Sequence, residues 1–459
     1  MKLFFAACSY FLLIPLLQGQ ALKQRVDAYL LRELKKFDVP NVEVIIVTND
    51  SVIYTKSVGG ATSPDTPYYL GSVSKSLTAF GVLTLVEKGL LTLDQPVTTV
   101  IPTLHFTGGK KITIRHLLNH TSGIAKKTGF DVLPLLREVE RAGFSVATTS
   151  LPGQRHEYSN MNYALLGLII EKVSGRSFQQ YMAEQVFAPM GMTHSRIGSS
   201  EQNEDRVISQ YQYWGPFAIK RSQVNYSLTA VPAGFICSSA ADMGKYVQAN
   251  LNNGTVGTTN ALDSNLMKAM HTPWTKGRAG YAMGWNQGSY NGKRLLQHLG
   301  STATSYSGIF LLPDDNLGLV VLTNSNSMGF SEGLMEGILS IITGGEAKSP
   351  SGNELYLRWL IALLTLFVVG RLAYKVVLMW CTGHPDNTTR SKEIRGFAIS
   401  ILCFGGGIFL FGKITNVPFT SMLKLQPDVG LLILLAFGST VFIKLLRLVQ
   451  LMAAPLPPK

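Results

Sequence analysis

The chain has 459 residues, 46% hydrophobic and 15% charged, with 44 Gly, 4 Cys and a formal net charge of +13. These proportions exclude a disordered, collagen-like or disulfide-stapled chain and leave room for one large domain or two ordinary ones. Residues 346–459 hold 12 Lys/Arg against 5 Asp/Glu, a net +7 of the +13. Those cations flank apolar runs, which points to membrane lipid and not nucleic acid as their partner.

At the start, Lys2 precedes an apolar run from Leu3 to Leu17 and then Gln18, Gly19, Gln20 and Ala21. This is the pattern of a signal peptide over 1–21 and implies export. The alternative is an uncleaved first anchor, although the run has about 15 residues where a span needs about 20. Cys8 lies in this stretch and Cys381 and Cys403 lie near the other end, so only Cys237 remains between them. No disulfide can form within that region, which a domain with a large core tolerates outside the cytosol.

A helix is predicted near Val26 to Lys36, then a hairpin of strands Val42 to Val47 and Val52 to Val58. Helical spacing follows over Ser74 to Lys88, Ile114 to Asn119, Tyr163 to Val173 and Phe178 to Phe187. Strands return at Leu295 to His298, Ser305 to Leu312 and Leu317 to Thr323, the last two joined by Pro313-Asp314-Asp315-Asn316. Strands at both ends around a helical middle predict an α+β domain over 22–345, its sheet completed by the two ends of the segment. After a helix over Ser331 to Ile342, residues 346–354 form a Gly/Ser/Pro-rich linker, and 355–459 carry three apolar stretches near 355–378, 396–413 and 429–447. They read as three transmembrane helices, since a soluble helix would keep a polar face. Arg371, Lys375, Arg390, Lys392 and Arg395 outnumber Lys413 and Lys424 of the next loop. The first loop and the C-terminus are therefore expected in the cytoplasm and the 22–345 domain outside it.

The chemistry concentrates in Gly71-Ser72-Val73-Ser74-Lys75, a Ser-x-x-Lys at a helix start. At i and i+3 the Lys75 amine can reach the Ser72 hydroxyl, and the Ser72 N–H is free to stabilise an oxyanion. A second match, Ser421 to Lys424, has no such company. The first is followed by Tyr158-Ser159-Asn160 and by His298-Leu299-Gly300-Ser301, a Tyr-x-Asn and a basic-x-Gly box in that order. His116 and His120 stand four apart, but Leu117 occupies the place of a metalloprotease Glu, so packing and not metal binding is expected. Arg371 and Lys375, near a span's cytoplasmic end, are expected to snorkel.

With these boxes, and with Ile112 to Gly123 and Pro232-Ala233-Gly234 as framework segments, residues 40–330 resemble the class C β-lactamase and penicillin-binding-protein-like serine hydrolases. The resemblance implies that Ser72 attacks an acyl carbon, that an acyl-enzyme forms, and that water aided by Tyr158 releases it. It implies that Asn160 orients Lys75 and binds the substrate amide, and that the Ser72 and Ser301 N–H groups form the oxyanion hole. Either Lys75 or Tyr158 can serve as base if its pKa is lowered by roughly three units. No cofactor or metal is required.

The family's β-lactamases carry Lys-Thr-Gly where this chain has His298-Leu299-Gly300. A histidine is mostly uncharged at neutral pH, so carboxylate capture weakens. This box looks more like the esterase, D-aminopeptidase and prodrug-peptidase branches. Joined to three C-terminal spans, the domain resembles the inner-membrane peptidases that remove an N-acyl-D-asparagine prodrug segment from nonribosomal peptides, with colibactin maturation as the type. That implies an acylated peptide substrate delivered at the membrane beside an export transporter. The chain differs in having Asn160 where a serine is expected and Ser301-Thr302-Ala303-Thr304 in place of a Gln/Asn-containing segment. A tethered cell-wall D,D-carboxypeptidase or esterase acting on peptidoglycan-type substrates, and a non-catalytic sensor of β-lactam or peptidoglycan, are the alternatives.

Overall fold

The computed structural model describes residues 2–60, 62–107, 111–125, 143–197, 207–221, 226–274, 280–381, 390–415, 419, 422–423 and 426–453. It divides into two compact units. The first comprises 1–212 and 220–351, and the second comprises 213–219 and 352–459.

The first unit opens with helix α1 (Lys2–Phe37), which runs unbroken through the apolar N-terminal stretch and the predicted 26–36 helix. Strands β1 (Asn41–Val47) and β2 (Val52–Gly59) follow as the expected hairpin. A short strand β3 (Pro67–Tyr69) leads to a 3-10 turn, Gly71–Val73, and to helix α2 (Ser74–Glu87). Every residue of α2 from Ser74 to Leu85 is buried, as befits a helix without a polar face. Helix α3 (Asn160–Ser174) packs against α2 and ends at Gly175 in the left-handed conformation that glycine tolerates best.

Strands β4 (Gln210–Trp214) and β5 (Phe217–Arg221) form a second hairpin. Strand β6 (Ile236–Ser239) pairs with β3 and with the short strand Arg196–Ile197. It feeds helix α4 (Ala240–Leu251), capped by the Ser239 hydroxyl accepting from the Asp242 N–H.

Strands β7 (Gly280–Ala282), β8 (Trp285–Tyr290), β9 (Lys293–Ser301), β10 (Tyr306–Leu312) and β11 (Leu317–Thr323) complete the main sheet. Its order is β7-β8-β9-β10-β11-β1-β2, antiparallel throughout. The sheet closes by pairing Val44 with Val321 across the two ends of the segment, giving the expected α+β, beta-lactamase/transpeptidase-like fold. β1 and β10 are buried along their whole length because helices cover both faces. Gly318 admits Val247 of α4 on one face, and Gly308 admits Met335 of α5 (Met328–Ile342) on the other.

The second unit contains helices α6 (Asn353–Cys381), α7 (Arg390–Thr415) and α8 (Pro427–Ala453). Within them three helices, Asn353–Cys381, Lys392–Leu410 and Pro427–Gln450, are long and apolar enough to cross a membrane. Lys444 and Arg447 near the end of α8 pair with Glu393 near the start of α7, at 2.8 and 3.1 Å, so these two helices run antiparallel. The second Ser-x-x-Lys, at 421 and 424, lies outside the described residues.

Candidate active site

The site is built where α2 begins. Gly71 adopts φ +52° and lies so close to β9 that a Cβ would stand 2.4 Å from the Ser301 nitrogen. Gly300 answers it from the strand, where a Cβ would stand 2.0 Å from the Leu70 carbonyl oxygen and 3.0 Å from the Ser72 nitrogen. The two glycines let the Ser72 turn and the end of β9 meet backbone to backbone, which brings the Ser72 and Ser301 main chains together. Ser72 sits in the 3-10 turn just ahead of α2, half-buried, with its N–H at a helix start. Lys75, the second residue of α2, is fully buried, and its Nζ lies 3.1 Å from Ser72 Oγ.

Lys75 Nζ also donates to the Ala233 carbonyl oxygen, and Thr78 Oγ1 donates to that of Pro232 at 2.8 Å. The Pro-Ala-Gly segment thus gives the lysine a second, main-chain partner beside the serine. The Tyr158 ring centroid is 4.8 Å from Lys75 Nζ, and the Tyr158 phenol hydrogen-bonds Ser72.

Tyr158 is positioned by His120, which has φ +55° and is fully buried. The His120 carbonyl accepts from the Glu157 N–H at 2.7 Å, and His120 Nδ1 accepts from the Ser159 N–H at 3.2 Å and from Asn162 Nδ2 at 2.9 Å. Nδ1 being an acceptor, the proton is on Nε2. The His120 ring lies 4.3 Å from that of Tyr158. His116 Nδ1 instead accepts from the Thr113 N–H at 3.0 Å in a capping box, and its ring packs 5.0 Å from that of Trp274. Among the described residues no group of ligands is gathered for a metal.

Electrostatics separate the two candidate bases. Burial drives the Lys75 amine well below the usual lysine range. Burial raises the Tyr158 phenol, and its bond to Ser72 only partly offsets this. The free site therefore favours a neutral amine beside a protonated phenol.

His298 is only 3% exposed. Its Nδ1 lies 2.7 Å from the Leu299 carbonyl oxygen, which only accepts, so Nδ1 carries the proton and Nε2 receives the Tyr281 hydroxyl at 3.3 Å. Burial and the neighbouring Lys75 push its pKa down to about 3. It is a neutral wall of the site with both nitrogens engaged.

Asn160, the first residue of α3, has its Oδ1 buried and without a hydrogen-bond partner among the described residues. Lys75 is held by Ala233 and not, as the resemblance implies, by Asn160. Ser301 Oγ accepts from Asn326 Nδ2 at 3.0 Å, and Asn326 also donates to the Thr302 carbonyl. Sequence reasoning passed over Tyr281 and the positioning role of His120, and it took Ala233 only as part of a framework segment. Ala233 acts through its main chain, which leaves no side-chain signal, and Tyr281 lies on a three-residue strand with no periodicity to find.

The sequence model of the Beta-lactamase family matches residues 24–337. The chain belongs to the beta-lactamase family. Within that family it is 30% identical over 322 residues to Protein flp of Staphylococcus aureus strain N315, the match taking in 66% of this chain. The chain spans 64% of that relative's length. Two solved structures share the beta-lactamase fold. A class C beta-lactamase aligns at TM-score 0.62 and 21% identity, covering 72% of this chain and 98% of that one. The D-alanine carboxypeptidase AmpC from Burkholderia cenocepacia aligns at TM-score 0.59 and 22% identity, covering 70% and 99%. The chain is thus a member of the beta-lactamase family that carries, in its C-terminal region, three helices long and apolar enough to cross a membrane.

Proposed function

We propose that the chain is a membrane-anchored, extracytoplasmic serine peptidase that works through a Ser72 acyl-enzyme. Its substrate would be an acylated D-amino-acid segment on an exported nonribosomal peptide precursor. The observation that carries this reading is the neutral, buried His298 in the third box. A substrate with a free terminal carboxylate gains nothing from an uncharged ring, whereas an acylated amide asks for no cation there. The unpartnered Asn160 Oδ1 supplies an acceptor for an amide N–H of such a substrate.

In the reaction, neutral Lys75 takes the proton of Ser72 as Oγ attacks the acyl carbon. The oxyanion is met by the N–H groups of Ser72 and Ser301. Tyr158, protonated in the free site, gives its proton to the leaving amine and is reprotonated by the Lys75 ammonium 4.8 Å from its ring. A water then attacks the ester, its proton passing through Tyr158 and Lys75 to Ser72 Oγ as that oxygen departs. Positive charge around 371–395 supports a cytoplasmic first loop and C-terminus, with the catalytic unit outside and residues 1–21 acting in export.

A second reading, a tethered D,D-carboxypeptidase acting on peptidoglycan, draws on the likeness to the Burkholderia enzyme. Fluorogenic N-acyl-D-Asn amides, D-Ala-D-Ala peptides and p-nitrophenyl esters assayed side by side separate the two. The peptidase reading expects turnover of the acylated amide that Ser72→Ala abolishes. Dominant release of D-Ala would replace it with the carboxypeptidase. Stable acylation without turnover would make the protein a sensor.

A further inference from the structure

The tip of the β4–β5 hairpin is grouped with the apolar helices and not with the catalytic unit. Its turn, Gly215-Pro216, has Gly215 at φ +56°, the two-residue loop with a leading glycine that suits a twisted hairpin. Glycine is also required for contact, since a Cβ at 215 would stand 3.0 Å from Ala362 Cβ and 3.6 Å from the Arg358 carbonyl oxygen of α6. The Gly215 N–H donates to Asp428 Oδ2 at 3.0 Å, at the start of α8. The Arg358 guanidinium, 8% exposed, lies 3.4 Å from the Tyr213 ring centroid and is paired with Glu354. The tip therefore meets the N-terminal ends of α6 and α8 together, which places it at the level where both helices enter their apolar stretches.

Two apolar side chains of β5 stay largely exposed beside this packing. Phe217 is 61% and Ile219 47% exposed, and the Phe217 ring reaches Trp359 at a centroid distance of 6.0 Å. Trp359 and Tyr356 are themselves exposed near the start of α6, where aromatic side chains mark a membrane–water boundary. Lys220 and Arg221 are the last two residues of β5 and are exposed.

We propose that the hairpin tip is an interfacial membrane element, seating Phe217 and Ile219 at the acyl-chain boundary of the leaflet that α6 and α8 enter, with Lys220 and Arg221 meeting anionic phospholipid headgroups. The inference rests on the reading of α6, α7 and α8 as membrane spans. An amphipathic edge of this kind binds by buried apolar area together with attraction to anionic lipid.

The test uses the full chain in vesicles of phosphatidylcholine with phosphatidylglycerol, with Cys8, Cys237, Cys381 and Cys403 replaced by serine. Single cysteines replace Phe217, Ile219, Phe367 in the middle of α6, or the exposed Ser289 of β8, each labelled with an environment-sensitive fluorophore. Ester hydrolysis by each labelled protein checks that it is folded. The expected result is blue-shifted emission at 217 and 219 with strong quenching by headgroup-proximal nitroxide lipid, an aqueous signal at 289, and quenching at 367 by deep nitroxide. Lys220→Gln with Arg221→Gln should shift the 217 emission back toward the red in the anionic vesicles. Aqueous emission at 217 and 219 beside a deeply quenched 367 overturns the inference while leaving the spans intact. An aqueous 367 overturns the spanning reading and the inference with it.

Discussion

Replacing Gly300 by alanine adds one methyl group at the narrowest point of the site. That methyl would stand 2.0 Å from the Leu70 carbonyl oxygen, 2.5 Å from Ser307 Oγ and 3.0 Å from the Ser72 nitrogen. The Leu70 oxygen accepts from Ser307 Oγ at 2.6 Å and from the Val73 N–H at 3.2 Å, so the methyl falls among bonds that hold the nucleophile's turn to the sheet. Overpacking of this kind costs about 1–3 kcal/mol, and the displaced Ser307 bond adds about 1 kcal/mol. For a unit of this size the sum corresponds to a fall in melting temperature of roughly 3–6 °C. If the Ser72 N–H leaves the oxyanion's reach, kcat should drop by about 10²–10³. Ester hydrolysis and thermal unfolding would be measured on the same preparation, with Gly288→Ala on β8, where nothing lies within 4 Å of the added carbon, as control. A folded Gly300→Ala protein with unchanged kcat would refute the backbone-to-backbone account of the site.

Lys75→Met should lower kcat by about 10²–10⁴. In the unaltered protein, kcat/KM should rise with pH on an acid limb well below the ordinary lysine range, because burial lowers the Lys75 pKa and the neutral amine is the active form. A limb at the ordinary lysine value would reassign the base. Tyr158→Phe should slow acylation by amides by about 10² and the p-nitrophenol burst that reports acylation by esters much less, since that leaving group needs no proton; equal losses in the acylation step would remove Tyr158 from its role as acid. Glu43, buried on β1 with Ser57 Oγ donating at 2.6 Å, has its pKa raised by burial from 4.5 to about 7. Its contribution to stability is thus full below the ordinary glutamate value and is lost as pH rises to about 7. Glu43→Gln should therefore stabilise the protein by about 1–2 kcal/mol near pH 8 and by little in mild acid, as thermal unfolding at the two conditions would register.

The elements with strong periodicity were legible in the sequence. Leu317 to Thr323 is a strand from end to end, and the three apolar stretches near 355–378, 396–413 and 429–447 lie inside α6, α7 and α8. Alternating or continuous apolar runs carry that information locally. The strand Gly280–Ala282 and its partner Trp285–Tyr290 were missed, because their residues are mixed and they become strands only by pairing beside β9. The β4–β5 hairpin was missed for the same reason, its exposed Phe217 and Ile219 matching no core pattern. At the site, the i and i+3 spacing of Ser72 and Lys75 was enough to place their side chains together. The approach of Tyr158, Ala233, Gly300 and Ser301 depends on contacts between distant segments, and it was available only by resemblance. The charge of His298 was expected to be weak from its type alone, but its burial against Tyr281 and its bond to Leu299 emerge only in three dimensions.

The pairing of β1 with β11 also sets an order of assembly. Val44 leaves the ribosome roughly 280 residues before its partner Val321, an interval on the order of ten to fifty seconds at ordinary rates of synthesis. Throughout it the β1–β2 ribbon presents an apolar flank with unmatched amide and carbonyl groups, the kind of template that captures other chains. The nascent protein therefore has reason to be kept extended or chaperoned until its last strands arrive, and premature release should give aggregates and not a partly active enzyme.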